Sequence, residues 1–119
     1  MPAQPGSAAA LKFTMRTETR DDATVLFCSG HLTSEYSDGF KKQARDCAAA
    51  AKRLMIDFNE VVRMDSSGLG ALVGIYVSAR KTNCEFLLVN YNKGIKDLLG
   101  ITNVLSMFED CGRTGMRMP

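Results

Sequence analysis

The sequence has few of the residues on which metal sites and many active sites depend. It contains a single histidine, His31, in 119 residues. The four cysteines form no CxxC pair, so the close ligand spacing of a metal site is missing and buried free thiols are favoured over zinc or disulfides. They are Cys28, Cys47, Cys84 and Cys111. We therefore expect neither a metal nor a cofactor.

Charge of one sign and long apolar runs are also scarce. Fifteen lysines and arginines face 13 acidic residues, so the formal net charge is only +2 and no basic stripe with interleaved aromatic residues stands out. This argues against direct nucleic-acid binding. No apolar run approaches the about 20 residues of a membrane-spanning helix, and the first residues lack the pattern of a secretion signal. We expect a cytoplasmic protein without membrane insertion.

The remaining pattern is typical of one α/β domain at residues 11–110, between a flexible leader at 1–10 and a flexible tail at 111–119. Apolar runs predict strands at 11–16, 24–28, 54–58 with an extension at 61–64, and 85–89. Spacings of three and four residues predict helices starting near Thr33 or Ser34, after Asp65, and around Ile95, the last closed by Gly100. The alternation predicts a mostly parallel sheet. The first strand should enter as a hairpin partner, because residues 17–23 are too few for a crossover helix.

The segment MDSSGLG at residues 64–70 stands between a strand and a helix. On a wheel of about 100° per residue, one side of that helix is apolar and should face the core. That side comprises Leu69, Leu72, Val73 and Tyr76. Small residues occupy the other side and should point away from the core. They are Ser67, Gly70, Ala71, Gly74 and Ser78.

Two glycines inside this helix, Gly70 and Gly74, are costly, at about 1 kcal/mol each relative to alanine. The cost indicates a close approach along the strip, either by the domain's own backbone or by a partner protein. We therefore predict partner docking at Gly70, Ala71, Gly74 and Ser78.

The start of this helix permits two interpretations. Asp65 or Ser66 would be a good N-cap, and capping alone would explain the motif. The unpaired N–H groups of a first turn also favour an anion, so a phosphate on Ser67 would be tolerated by the helix while it changes the charge of the docking strip. In the second interpretation Asp65, Ser66 and Gly68 shape the helix start around a phosphoacceptor, Ser67.

The runs LMIDFNEVVRMDSSGLGALVGIYVSARK and EFLLVNYNKGIKDLLGITNVLSMFE resemble a STAS domain, and more narrowly the bacterial anti-sigma factor antagonists. The resemblance implies a single mixed sheet of four to five strands packed with about four helices. It implies a protein that binds an anti-sigma factor serine kinase and so releases a sigma factor. The kinase would use ATP to phosphorylate Ser67, and a PP2C-type phosphatase would reverse the reaction.

One stretch departs from the family pattern, which commonly reads Gly, an acidic residue, an aliphatic residue and Asp after the second strand. Here the residues are Gly30, His31, Leu32 and Thr33. In the family the Asp lies near the phosphoacceptor and assists partner recognition. Thr33 is therefore either a docking residue or a plain helix N-cap.

A STAS protein without the switch and an enzyme are the alternatives to this regulator. A STAS scaffold of a signalling assembly, or a soluble subunit of a membrane transporter, would keep the fold without the switch. An enzyme would need a catalytic pattern, but the chain contains neither a Gly-Lys-Ser/Thr phosphate loop nor a G-x-S-x-G elbow around Ser66 or Ser67. His31 is the only possible histidine base, so we expect no enzyme.

Overall fold

The computed structural model describes residues 12–101 of the chain. The predicted leader at 1–10 and the predicted tail at 111–119 lie outside these residues.

Four strands and three helices alternate along the described chain, as the apolar pattern predicts. The elements are β1 (Phe13–Arg20), β2 (Ala23–Leu32), α1 (Ser34–Ala50), β3 (Arg53–Met64), α2 (Ser66–Lys81), β4 (Glu85–Val89) and α3 (Lys93–Ile101). The strand count agrees with the prediction of four to five, whereas the expected number of about four helices is too high for this part of the chain. Gly100 lies within α3 and does not close it, which corrects that prediction.

The sheet is mixed and has the order β1-β2-β3-β4. β1 pairs antiparallel with β2 through a tight connection at Asp21 and Asp22, so the predicted hairpin is confirmed. β2, β3 and β4 are mutually parallel, with α1 and α2 as the crossover connections. Parallel pairing brings the carboxyl ends of β2 and β3, and hence the starts of α1 and α2, to the same edge of the sheet.

β2 runs to Leu32, beyond the predicted end of this strand at residue 28. Gly30 has a φ of 101°, and a Cβ there would lie 1.8 Å from the carbonyl oxygen of Lys12. The residue therefore permits β1 to pass close to β2 while the pairing of β2 with β3 shifts register on either side of it. The glycine marks an irregularity inside the strand, where the sequence had suggested a strand end.

The core fills the space between one face of the sheet and the helices α1 and α2. Alternate residues of the central strands point into it, as the two-residue period of a strand requires. The central buried side chains are Leu26, Cys28, Leu54, Ile56, Phe58, Phe40, Ala44, Leu72 and Ile75. Phe40 of α1 contacts Phe13 edge-on and also packs against Phe58, which ties α1 to two strands that are distant in sequence, β1 and β3.

The three cysteines in the described part of the chain are free, as expected. Cys28 and Cys84 are buried and Cys47 is half-buried. Burial raises the pKa of the Cys28 thiol well above its ordinary value, so this residue behaves as a small apolar side chain.

Charged side chains line β1, which lies at one edge of the sheet. The carboxylate of Glu18 accepts hydrogen bonds from the guanidinium groups of Arg20 and Arg16. These bonds, that of Arg20 first, hold the pKa of Glu18 below its usual range. Arg16 also lies over the ring of Phe27, 4.3 Å from the ring centroid.

Candidate switch site at the start of helix α2

The centre of the site is the carboxylate of Asp65, between the end of β3 and the start of α2. Asp65 is the N-cap of α2, and its Oδ1 accepts from the backbone N–H of Gly68 at 3.1 Å. Its Oδ2 accepts from the backbone N–H of Ser34, the first residue of α1, also at 3.1 Å. One carboxylate thus satisfies orphan N–H groups of two helices, where its charge is favoured by both helix dipoles. The predicted capping role of Asp65 is present, and it extends to a second helix.

Gly68 allows the first turn of α2 to pack directly against the ends of β2 and β3. It is buried, and a Cβ on it would lie 2.6 Å from Cγ of Met64, 2.8 Å from Cγ of Leu32 and 2.9 Å from the Leu32 carbonyl oxygen. Such distances are shorter than side-chain carbons tolerate, and the backbone oxygen cannot move aside cheaply. The glycine of the DSSG motif is therefore required by packing.

Ser66 and Ser67 occupy the first two positions of α2, immediately after Asp65. Ser66 is exposed and Ser67 is half-buried. Within residues 12–101 neither hydroxyl has a hydrogen-bond partner. Asp65 does the capping, so both hydroxyls remain available for another role.

The predicted strip of small residues does not point uniformly to solvent. Ala71 is only 4% exposed and belongs to the core cluster, and Gly74 lies under the side chain of Lys41 from α1. Gly70 is exposed with nothing near it, and Ser78 is half-buried. The placement of Ala71 on an outward face is thus wrong, because α2 turns this side towards a second helix.

The prediction of which residues of α2 face the core is only partly correct. Leu69 and Leu72 are buried as predicted, whereas Val73 and Tyr76 are only half-buried. Ile75 and Ala79, which the wheel did not single out, are fully buried. The buried side of α2 is therefore rotated towards α1 relative to the prediction.

Helices α1 and α2 lie side by side and run in the same direction. Their starts meet at Asp65, and at their other ends the hydroxyl of Thr82 lies 3.5 Å from the carbonyl oxygen of Ala48 as a weak hydrogen bond. The small residues of α2 allow this close parallel packing. The sequence allowed two causes for the strip of small residues, a close approach within the domain or a partner protein. Packing within the domain accounts for Ala71 and Gly74.

Thr33 occupies the N-cap position of α1, but its side chain makes no capping hydrogen bond. The cap is supplied instead by Asp65 through Ser34. Thr33 is consequently brought to the same edge as the DSSG motif, next to the residue that contacts Asp65. Sequence inspection missed Ser34 and Lys41, since nothing local indicates that either residue meets α2.

No metal site or membrane span is found in the described part of the molecule. Between residues 12 and 101, histidine, cysteine and carboxylate side chains form no group of three that could hold a metal ion. None of the helices there is long and apolar enough to cross a bilayer.

The STAS domain family model matches residues 14–115. An anti-sigma factor antagonist from Mycobacterium paratuberculosis has a similar structure, with a TM-score of 0.74 at 20% identity, covering 87% of this chain and 93% of that one. A putative antagonist from Thermotoga maritima has a TM-score of 0.70 at 26% identity, with coverage of 76% and 79%.

The antagonist SpoIIAA of Bacillus, in its unphosphorylated form, also shares the fold. The TM-score is 0.69 at 16% identity, and the match covers 78% of this chain and 84% of SpoIIAA. At such low identity the likeness establishes the architecture alone.

Proposed function

The chain belongs to the STAS domain family, and we propose that it is a phosphorylation-switched, anti-sigma-antagonist-like regulator. In this proposal the protein binds an anti-sigma factor serine kinase in the cytoplasm, and the sigma factor held by that kinase is released for transcription. The kinase uses ATP to phosphorylate Ser67 and so ends the interaction. A PP2C-type phosphatase restores the binding form. The protein itself catalyses nothing and does not contact nucleic acid directly.

The observation that carries the proposal is the uncommitted hydroxyl of Ser67 in the first turn of α2. Asp65 already caps the helix, so a phosphate on Ser67 breaks no hydrogen bond of the described structure. The first turn also tolerates added negative charge, because its N–H groups and the helix dipole favour an anion. Phosphorylation at this position is therefore compatible with an intact fold.

The same geometry explains why a phosphate would block a partner. The phosphate adds about 1.5 to 2 negative charges at a position where the side chains of Ser66 and Ser67 are uncharged. The carboxylate of Asp65, held in place by two backbone N–H groups, adds a second negative charge beside the phosphate. A partner that fits the small unmodified serines then meets both bulk and charge.

The proposed docking surface combines the helix starts with the accessible part of the strip. Thr33 and Ser66 flank the phosphoacceptor, and Gly70 is a smooth exposed position. Ser78 and Gly74, the latter beneath the Lys41 side chain, continue along the side that faces α1. Ala71 is left out, since its burial places it beneath this surface.

Phosphosite mapping tests the proposal. The purified protein is incubated with ATP and lysate of its own cells, and modified residues are identified by mass spectrometry. Ser66→Ala is the matched control for Ser67→Ala, because both hydroxyls lack partners in the described structure. Phosphate on Ser67 that is lost in Ser67→Ala and kept in Ser66→Ala supports the switch. Absence of phosphate, in a lysate that modifies a known antagonist, favours the unswitched scaffold or transporter subunit.

Binding and stability of Ser67 variants separate a switch from a structural role. Ser67→Ala should bind the kinase like the wild type, whereas Ser67→Asp should bind more weakly because it places a charge beside Asp65. Both should unfold within about 0.5 kcal/mol of the wild type, since no hydrogen bond is lost. Denaturant unfolding and a pull-down of the kinase measure these effects. Unchanged binding of Ser67→Asp, or its unfolding, contradicts the mechanism.

A further inference from the structure

A shallow groove of about 590 Å³ runs between α1 and α2 towards their carboxyl ends. Its lining residues are Asp38, Lys41, Lys42, Arg45, Asp46, Ala49, Ser78, Lys81 and Thr82. Four cations there face two carboxylates, an excess of two positive charges. The whole chain has a formal net charge of +2, so this one groove carries an excess as large as that of the entire protein.

Most of this positive charge is not neutralised within the described structure. Lys42 pairs with Asp46 across one helical turn at 3.5 Å. Lys41, Arg45 and Lys81 form no ion pair with any of residues 12–101. Three cations are thus available to a ligand, with Asp38 as the only unpaired carboxylate among the lining residues.

The position of these cations has a partial explanation in helix electrostatics. Lys81 lies in the last turn of α2, where a cation complements the helix dipole. Lys41 and Arg45 lie in the middle of α1, where the dipole offers no such gain. Lys41 moreover lies across Gly74, so that a Cβ on this residue would be 2.7 Å from its Cε. The small residue of α2 makes room for a cation at the floor of the groove.

We propose that this groove binds an acidic segment of the partner protein. The inference rests on the proposed function and specifies the charge of the partner's contact. Complementary charge accelerates encounter and sets the orientation of a complex. Clustered lysine and arginine side chains on a surface otherwise near neutrality supply that steering.

The groove and the phosphoacceptor are far enough apart to act separately. Where Lys41 lies across Gly74, the groove is seven positions from Ser67 on α2, or about 10 Å along the helix axis at a rise of about 1.5 Å per residue. This exceeds the Debye length of about 8 Å at physiological ionic strength. A phosphate on Ser67 would therefore block the contact at the helix start without cancelling the attraction at the groove.

Titration with a charged peptide tests the groove without relying on the switch. Isotope-labelled protein is titrated with an oligoglutamate peptide, and amide resonances are followed by NMR, with oligolysine and single-stranded DNA of equal length as comparisons. Oligoglutamate should shift resonances around Lys41, Arg45 and Lys81. The double variant Lys41→Glu/Arg45→Glu should weaken binding about ten-fold, whereas Lys96→Glu, an exposed cation on α3, should not. Lys81→Glu serves as a second test should the double variant fail to fold.

The rate of Ser67 phosphorylation in lysate then connects the groove to the partner. The double variant should be phosphorylated about ten-fold more slowly than wild type at low salt, and the difference should shrink as salt is added. If wild type is phosphorylated and the double variant keeps its rate, the groove proposal fails while the switch stands. If wild type is not phosphorylated, the switch fails and the titration alone decides the groove. Shifts elsewhere, or tighter binding of DNA than of oligoglutamate, overturn the acidic-segment proposal.

Discussion

Helices α1 and α2 start at the same edge of the sheet but are held there in different ways. α2 begins with its own N-cap, since Asp65 accepts from Gly68 three residues later. α1 begins after Thr33, whose side chain does not cap, and the N–H of Ser34 donates instead to Asp65, 31 residues further along the chain. The start of α2 is therefore encoded locally, whereas the start of α1 depends on the tertiary structure. A change at Asp65 should reach both helices.

The largest effect on stability is expected from disturbing the close packing of the first turn of α2 at Gly68. Gly68→Ala should lower the free energy of unfolding by about 3 kcal/mol, because the new methyl group meets the side chains of Met64 and Leu32 and the Leu32 carbonyl oxygen. Gly70→Ala is the matched control, as nothing lies within 4 Å of its added methyl group. It should stabilise the helix by up to about 1 kcal/mol. Urea denaturation measures the free energy of unfolding of both variants. Equal effects of the two substitutions would contradict the close packing at Gly68.

An intermediate effect is expected from removing the shared cap. Asp65→Ala deletes the acceptor of two backbone N–H groups and should lower the free energy of unfolding by about 2 kcal/mol, roughly twice the usual loss for one cap. Asp65→Asn keeps a single acceptor oxygen and should lose about half as much. Hydrogen exchange of the Ser34 and Gly68 amides reports the two helix starts separately. Faster exchange at Gly68 alone would show that α1 does not depend on Asp65.

The smallest effect is expected at Thr33. Thr33→Ala should change the free energy of unfolding by less than about 0.5 kcal/mol, because no capping hydrogen bond is lost. A working threonine cap would lose about 1 kcal/mol instead. Thermal unfolding of the variant distinguishes the two values. If its stability is unchanged while kinase binding falls, Thr33 acts in docking.

The arrangement of strands and helices could be predicted because apolar residues change period along the chain. Four of the five residues at 85–89 are apolar and the run matches β4, and the shortness of residues 17–23 was enough to predict the hairpin. The extension of β2 past Gly30 could not be read from local pattern, since a glycine that ends a strand and one that permits a close pass look alike in sequence. The bond between Asp65 and Ser34 joins segments that only the fold brings together.

The misplacement of Ala71 has a physical cause. A helical wheel assigns the apolar side to the core and the small side to solvent, but small residues are also favoured where two helices approach closely. Gly74 lies against Lys41 of α1 and Ala71 is buried in the core, and the sequence of α2 alone reveals neither environment. The start of α2 at Asp65 and Ser66 could be predicted because capping positions depend on a few adjacent residues.

The charged outer face of β1 has a consequence for the behaviour of the protein in concentrated solution. An edge strand offers backbone groups to which strands of other molecules can add, and charged side chains oppose such polymerisation. Arg16, Glu18 and Arg20 supply alternating charge along this edge. The hydrogen bonds from Arg20 and Arg16 lower the pKa of Glu18, so its carboxylate stays ionised to a lower pH than that of an ordinary glutamate. Below that pH the two arginines still charge the edge, so the protection against edge-to-edge aggregation persists in acid.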